Sequence, residues 1–443
     1  MRDLVRKEVL ALERCPHGGA TSNRVIDFST SVNLLKLDVK DALLSAYERI
    51  DRYPDDQYTM FREAAASFVG VDAANIVPGN GSTEIIRLFA ETIVERGDQV
   101  IIPRPTFGEY EFQSRLFGAE PMFIKFELVK DEQITDKMLE ESKILYVCNP
   151  NNPTGDLLPQ ETLIELARRC SKNKAFLFVD ETFIELSDPE QSIADIAAKK
   201  DFIFVLRSLT KCFAIPGVRI GYGVGPAQLI ELLNRARLSW NVNTFADAIG
   251  TYLLHDPKTS KYLDRSRKLI KTEREWLTNQ LSDIAGVLPL QSDANFILLD
   301  ISGTDFSSGE LTQRMLYHGI LIRDCNSFKP LGRNYVRVAV RTREDNEKLV
   351  AALKIVIDPK ARESCEHYPC HFEGQDCTFC FCPFYPCEDE RLGKYVEKTT
   401  GGVAWSCVDC KIIHQAEVAQ EILDRILAGD ELRRIWKVIE RRL

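Results

Sequence analysis

The sequence predicts an α/β protein: a large domain on a mostly parallel sheet, a small α+β domain and a cysteine-rich C-terminal extension. Three observations lead there. From residue 98 onward apolar runs recur with helical segments between several of them, the pattern of strands covered on both faces. A second group of strand-like runs, residues 294–300, 320–323 and 335–340, follows two long helical regions. Past residue 358 the composition breaks, and eight of the 13 cysteines fall between Cys365 and Cys410. The implied division is an N-terminal arm with part of the small domain at 1–50, the large domain at 51–255 and the small domain at 256–358. A cysteine-rich segment at 362–414 and terminal helices at 415–443 complete it.

Residues 4–12 form a charged amphipathic segment. Cys15-Pro-His17-Gly18-Gly19 follows, then Asp27-Phe-Ser-Thr-Ser-Val-Asn33. The paired glycines mark either a turn or a place where backbone approaches a ligand. Tyr53-Pro54-Asp55 closes a helical segment and opens a turn, and residues 59–69 carry a helical spacing of Phe61, Ala65 and Phe68. Ile76-Val-Pro-Gly79-Asn80-Gly81-Ser82-Thr83-Glu84 reads as strand, glycine turn and helix start. Free N–H groups and two hydroxyls at that start suit an anion, although Ser82 or Thr83 would equally serve as an ordinary cap.

The regular part has apolar runs at 99–102, 122–126, 144–148, 176–179, 202–206 and 219–223, with helical segments at 109–116, 159–170 and 193–198. In such sheets ligands sit beyond the carboxyl ends of the strands. The unusual residues fall there: Pro105-Thr-Phe107, Asn149-Pro-Asn-Asn152-Pro-Thr-Gly155, Asp180-Glu-Thr-Phe183, and Ser208-Leu-Thr-Lys211 with Arg219 beyond it. Together they suit pyridoxal phosphate. Lys211 supplies an amine to condense with the aldehyde, and it must lose its proton to do so. Ser208, Arg219 and the 81–83 turn can grip the phosphate. Asp180 can keep the pyridine nitrogen protonated, Asn152 can donate to the ring hydroxylate, and Phe107 can stack on the ring. Each has an ordinary reading alone: a turn, a core phenylalanine, a helix cap, a lysine at a strand end. Five at successive strand ends predict one pocket.

Two helical regions, 227–255 and 260–281, lead into the small α+β lobe, with a helix at 308–317. Arg323 and Arg337 lie on its strands, where a guanidinium can clamp carboxylate or phosphate; Arg341 and Arg343 read as surface ion pairs. A net charge of −9 argues against a general nucleic-acid surface. No apolar run has the length of a membrane span and the N-terminus is charged without a signal-type apolar stretch, so a cytoplasmic location is expected.

The tail carries Cys365-x-His367-x2-Cys370-His371, then Cys377-x2-Cys380-x-Cys382-x4-Cys387, then Cys407-x2-Cys410-x3-His414. In a cytosolic chain such a cluster points to metal rather than disulfides. Eight cysteines could fill two tetrahedral sites, with zinc the first choice, or Cys377, Cys380 and Cys382 could carry an iron–sulfur cluster. A metal staple for a segment too small for its own core is the simplest role; an added regulatory or second activity is the alternative.

On Asn149–Gly155, Asp180–Phe183 and Ser208–Arg219, residues from about 15 to 355 resemble the fold-type-I, class I/II aminotransferases. Two branches come nearest: the histidinol-phosphate aminotransferases and the threonine-phosphate decarboxylases. The second is the more similar, through His17-Gly-Gly, Asp27-Phe-Ser, Tyr53-Pro-Asp, Gly79-Asn-Gly-Ser, Ser208-Leu-Thr-Lys-x-Phe-Ala-Ile-Pro-Gly, Arg323-Asp-Cys-x-Ser-Phe328 and Arg337-Val-Ala-Val-Arg341. The aminotransferases usually have Ala-Leu-Ala-Gly after the lysine and tyrosine where this chain has Phe183. The chain departs from the shared pattern at Leu34-Leu35, where Pro and Gly are common. The resemblance implies decarboxylation of O-phospho-L-threonine to 1-amino-2-propanol phosphate, a building block for cobalamin. It also implies a homodimer in which Tyr53 reaches the neighbour's cofactor phosphate, Gly81, Ser82, Thr83, Ser208 and Arg219 hold that of their own subunit, and His17, Gly18, Asn33, Asn152, Arg323 and Arg337 surround a phosphorylated amino acid. The tail resembles small cysteine-rich domains that also occur alone.

Overall fold

The computed structural model describes residues 4–19, 25–357, 368–379, 382–397 and 402–443. Cys365, His367 and Cys380 lie outside them. The chain divides into two compact units: Met1–Thr312 with Gly319–Asn346, and Gln313–His318 with Glu347–Leu443.

The strands of the first unit are, in order, β1 (Ile26–Asp27), β2 (Ile76–Gly79), β3 (Gln99–Arg104), β4 (Glu120–Lys125), β5 (Ile144–Cys148), β6 (Phe176–Asp180), β7 (Ile203–Ser208), β8 (Gly221–Val224), β9 (Leu288–Pro289), β10 (Phe296–Asp300), β11 (Ile320–Leu321), β12 (Arg323–Asp324) and β13 (Tyr335–Ala339). Seven form one sheet in the order β2-β8-β7-β6-β5-β3-β4. Only β8 runs against its neighbours. The reason is legible in the side chains. Leu145, Val147, Leu177, Val179, Ile203 and Val205 enter one apolar cluster, while Ile144, Tyr146, Phe178, Phe204 and Leu206 enter the cluster on the other face. Alternate residues thus bury on opposite sides, which is why the strands read as unbroken apolar runs.

Several expectations are met closely, including helices Thr59–Val69, Glu109–Leu116 and Ser308–Tyr317. Two are corrected. The region 227–255 is two helices, Ala227–Ala236 and Thr244–His255, because Asn243 caps the second: its side chain accepts from the Ala246 N–H at 2.9 Å. The run 320–323 is split between two sheets. β11 pairs in parallel with β1, and β12 joins the four-stranded order β12-β13-β10-β9. Pairing of β1, with Phe28 N–H donating to Leu321 O at 2.8 Å, ties the N-terminal arm to the small lobe.

A buried ion network braces the carboxyl ends of β6 and β7. Arg207 Nε lies 2.8 Å from Glu181 Oε2, and its Nη1 meets Glu185. Glu181 also accepts from Ile193 N–H at 3.0 Å and Ser192 Oγ at 2.8 Å.

In the second unit, β14 (Lys394–Glu397) and β15 (Val403–Ser406) pair antiparallel. Helices Ala416–Leu427 and Leu432–Ile439 close a core of Phe379, Phe384, Ile412, Ile413, Val418, Ile422, Leu423, Ile435 and Ile439. No helix among the described residues is long and apolar enough to cross a membrane.

Arg207→Met would strand the Glu181 carboxylate in an apolar surround, so it is expected to cost about 3–5 kcal/mol in equilibrium urea unfolding, whereas Arg207→Met with Glu181→Leu should cost less than the sum of the single changes.

Candidate active site

One cavity of about 290 Å³ collects most of the predicted residues: His17, Gly18, Ser82, Thr83, Phe107, Asn152, Asp180, Lys211, Arg219, Arg323 and Arg337 all line it. The fold explains the meeting. Phe107, Asn152 and Lys211 follow the carboxyl ends of β3, β5 and β7, Asp180 closes β6, and these four strands lie side by side.

Asp180 is the last residue of β6 and is almost fully buried. Its Oδ2 accepts from Tyr110 Oη at 2.7 Å and its Oδ1 from Thr182 N–H at 2.9 Å. Burial pushes its carboxyl up, and the hydrogen bonds from Thr182 and Tyr110 pull against that shift. Tyr110 is pushed up in turn, first by burial and then by the Asp180 charge, so it stays a donor.

Lys211 sits in the one-turn helix Leu209–Cys212 that follows β7. Burial, then the charges of Arg337 and Arg219, lower its amine to about 8. Such a lysine is a usable nucleophile near neutral pH.

At the other end of the cavity, helix Ser82–Ile93 begins after Gly81, whose φ is +81°. A Cβ there would come within 2.3 Å of Arg219 Nη2. Glycine therefore serves twice, for the backbone turn and for the room that lets a guanidinium lie over the helix start. The free N–H groups, two hydroxyls and Arg219 make an anion cradle.

Arg337 is buried on β13. Its Nη1 donates to the Asn152 side-chain oxygen and its Nη2 to Ser29 O at 2.9 Å. Its Nε is buried without a partner. Burial works against its charge and lowers it to about 10. Arg323 Nη2 donates to Pro16 O at 2.7 Å and Ser327 Oγ at 3.1 Å. His17 Nε2 lies 3.0 Å from Glu109 Oε1. Phe183 packs edge-on against Phe296, ring centroids 5.1 Å apart, and lines the cavity.

Four predicted residues do not line the cavity. Gly81 acts behind Arg219. Ser208 Oγ lies 2.8 Å from Thr210 Oγ1, and it is Thr210 that reaches the wall. Asn33 spends its amide on Cys212 O at 2.7 Å, Tyr262 Oη and Ser266 Oγ, while its N–H donates to Lys211 O at 3.0 Å. It brackets the lysine turn. Tyr53 is 77% exposed and stacks on Trp240, centroids 4.3 Å apart. Sequence reasoning missed Tyr110 and Thr182. Thr182 stands inside a quoted motif, two residues after an aspartate, which is an Asx-turn signal. Tyr110 has no local signal, because its partner lies 70 residues away.

The residues fit pyridoxal phosphate: a lowered amine, a buried carboxylate, an anion cradle cleared by Gly81, and an arginine Nε left unpartnered beside them.

In the second unit, Gln375 Nε2 lies 3.0 Å from Cys370 Sγ and 3.2 Å from Cys377 Sγ, and His371 Nδ1 lies 3.2 Å from Cys370 Sγ. The His371 and His414 rings are 4.3 Å apart, and His414 Nδ1 lies 2.8 Å from Asp376 O, which leaves Nε2 as a lone-pair donor. Cys382, Cys387, Cys407 and Cys410 border the apolar core instead. Burial pushes the Cys382 thiol up to about 11, with contributions from Cys410, Cys387 and Cys407.

Comparison with known proteins agrees with this geometry. The family of class I and II aminotransferases matches residues 23–353, and the cysteine-rich small domain matches residues 357–435. A protein of Caldanaerobacter subterraneus subsp. tengcongensis, provisionally named threonine-phosphate decarboxylase, is 36% identical over 331 residues, 73% of this chain and 88% of that one. The histidinol-phosphate aminotransferase of Methanosarcina mazei is 33% identical over 371 residues, 80% of this chain and 97% of that one. The crystal structure of L-threonine-O-3-phosphate decarboxylase from Porphyromonas gingivalis superposes with a TM-score of 0.67 at 23% identity, covering 75% of this chain and 99% of that one, and so shares the fold.

The Lys211 amine lies below its ordinary value, so the neutral form grows as pH rises toward about 8. Capture of added pyridoxal phosphate, followed by absorbance, should accelerate with pH and level off above that value. The folded chain also binds fewer protons than the unfolded chain between the two values, so cofactor-free stability should rise with pH across that window.

Proposed function

The chain belongs to the class I and II aminotransferase family, and from that premise we propose that it is a pyridoxal-phosphate-dependent carboxy-lyase acting on O-phospho-L-threonine. The product is 1-amino-2-propanol phosphate, as cobalamin synthesis requires. The observation that carries the reading is the crowding of three further cationic or hydrogen-bonding side chains, His17, Arg323 and Arg337, onto a cavity that already has an anion cradle at Ser82, Thr83 and Arg219. A substrate with both a carboxylate and a phosphate uses all of them.

When bound, pyridoxal phosphate supplies an electron sink conjugated to the substrate Cα. Asp180 would hold the proton on the pyridine nitrogen, and Tyr110 and Thr182 hold Asp180 in place. Ser82, Thr83 and Arg219 would hold the cofactor phosphate, with Gly81 leaving the room. Asn152, whose side-chain oxygen accepts from Arg337, would have its amide nitrogen free to donate to the ring oxygen. Phe183 has no hydroxyl to offer, which would leave that oxygen to Asn152. Phe107 would cover the ring and exclude water. Arg337, on the cavity wall, would clamp the α-carboxylate. The position in which Arg337 would fix that group would decide which substrate bond reacts. His17 and Arg323 take the substrate phosphate. Lys211 Nζ returns a proton to Cα.

Transamination of histidinol phosphate is the second reading, favoured by the identity and coverage of the Methanosarcina mazei relative. The same arginines would then serve the carboxylates of the amino acceptor. We further propose a cytoplasmic homodimer, in which the exposed Tyr53 extends to the neighbour's cofactor phosphate. For the tail we propose structural zinc. Gln375 Nε2 lies against both Cys370 and Cys377, and Cys410, Cys387 and Cys407 act on Cys382, so the described thiols fall in groups of the kind that tetrahedral zinc takes up.

Purified full-length protein with pyridoxal phosphate should release carbon dioxide from O-phospho-L-threonine without 2-oxoglutarate. Glutamate formed from histidinol phosphate and 2-oxoglutarate, with no carbon dioxide from phosphothreonine, would replace this reading with the second. Lys211→Ala should abolish turnover. Arg337→Met removes charged hydrogen bonds of about 1.5–3 kcal/mol, so kcat/KM should fall roughly 10- to 100-fold.

Elemental analysis should find zinc in the same sample. Its removal by chelator should unfold the second unit, seen by loss of Trp405 and Trp436 fluorescence contrast, while cofactor absorbance persists.

A further inference from the structure

Three donors of different kinds meet on the rim of the cavity. Cys15 Sγ, a ring nitrogen of His17 and a carboxylate oxygen of Glu109 all lie within 4.8 Å of one another. The surroundings prepare them. Glu109 opens helix Glu109–Leu116 and is buried, with Oε2 accepting from Gln113 Nε2 at 2.8 Å. That bond fixes the carboxylate and leaves Oε1 toward His17, 3.0 Å away. Cys15 is half-buried against Gly108, where a Cβ would come within 2.7 Å of the sulfur. The bare glycine gives the thiol its place.

Two ordinary explanations account for less. A reactive cysteine needs a positive surround to hold its thiolate, and here a carboxylate faces it. A plain His–Glu ion pair explains neither the sulfur at the same point nor the glutamine behind the glutamate. A divalent cation accounts for all three donors, because it draws a thiolate, an imidazole lone pair and a carboxylate to one centre. Bond lengths to zinc of about 2.0–2.3 Å set tetrahedral ligand atoms roughly 3.3–3.8 Å apart, so side-chain rotation suffices to close the group. The Gln113–Glu109 bond is the outer support that metal carboxylates carry.

We propose that Cys15, His17 and Glu109 bind a thiophilic divalent cation, zinc foremost, on the rim of the cavity and apart from the cysteine-rich tail. On binding, the Cys15 thiol gives its proton to solvent and its sulfur joins the metal. The His17 nitrogen that faces the site becomes a ligand. Resting on the function proposed above, this withdraws His17 from the substrate phosphate, so zinc at this point weakens substrate binding.

The test uses the full-length protein loaded with pyridoxal phosphate, titrated with cobalt(II) as the spectroscopic stand-in. Bound metal is counted by elemental analysis, and thiolate-to-cobalt absorbance is followed. Wild type should take up one equivalent more than Cys15→Ser, and Cys15→Ala with native circular dichroism should match the serine variant. Gln113→Ala should weaken that equivalent about 10- to 100-fold. Equal uptake by wild type and both Cys15 variants overturns the site. Added zinc should raise KM for O-phospho-L-threonine in wild type and leave it unchanged in Cys15→Ser. An unchanged or lowered KM in wild type overturns the regulatory consequence. If zinc-free enzyme turns over no phosphorylated amino acid, the function above has failed, and the cobalt count still decides the site.

Discussion

A carboxylate buried at the end of a central strand has to be satisfied, and much of the first unit follows from how Asp180 is. Two directed hydrogen bonds, from Tyr110 Oη and Thr182 N–H, hold it against the cost of leaving water. Tyr110 in turn stacks on Tyr146, centroids 5.2 Å apart, and packs against Phe178, so the acid is fixed by the same aromatic layer that fills one face of the sheet. Site and core are therefore not separable there. A loosened core on that face would free the carboxylate to turn before it unfolded the sheet.

The lysine is held by a different logic. Its amine is lowered by burial and by two arginines, and neither arginine is free to drift. Arg337 is tied to Ser29 and Asn152, and Arg219 lies over bare Gly81. One positive group gives up its proton more easily because others beside it keep theirs.

Most of the sheet was legible because both faces of its parallel strands are apolar, and that leaves unbroken runs in the sequence. The cavity was legible where a residue stands at a strand end with odd neighbours, as with Asn152, Asp180 and Lys211. It was not legible where a contact joins distant segments through an unremarkable residue. Tyr110 is one such case, and the Cys15–Glu109 meeting is another. Asn33 shows the reverse error of reach: its motif marks the right neighbourhood, but its amide holds backbone and hydroxyl groups rather than facing the cavity. The split of residues 320–323 between two sheets was hidden because two short pairings look like one run. In the tail the spacing marks the cysteine cluster, whereas the contact of Gln375 with both Cys370 and Cys377 needs the chain folded.

The single reversed strand β8 has a consequence for how the chain tolerates change. Ser208 on β7 pairs directly with Gly221 on β8, so the segment between them, which carries both Lys211 and Arg219, is a loop with its two ends clipped together. The spacing of amine and guanidinium is set inside that clip, independent of any hinge between lobes. An insertion between Lys211 and Arg219 would lengthen the chain that spaces those two groups. In this segment chain length itself is part of the site.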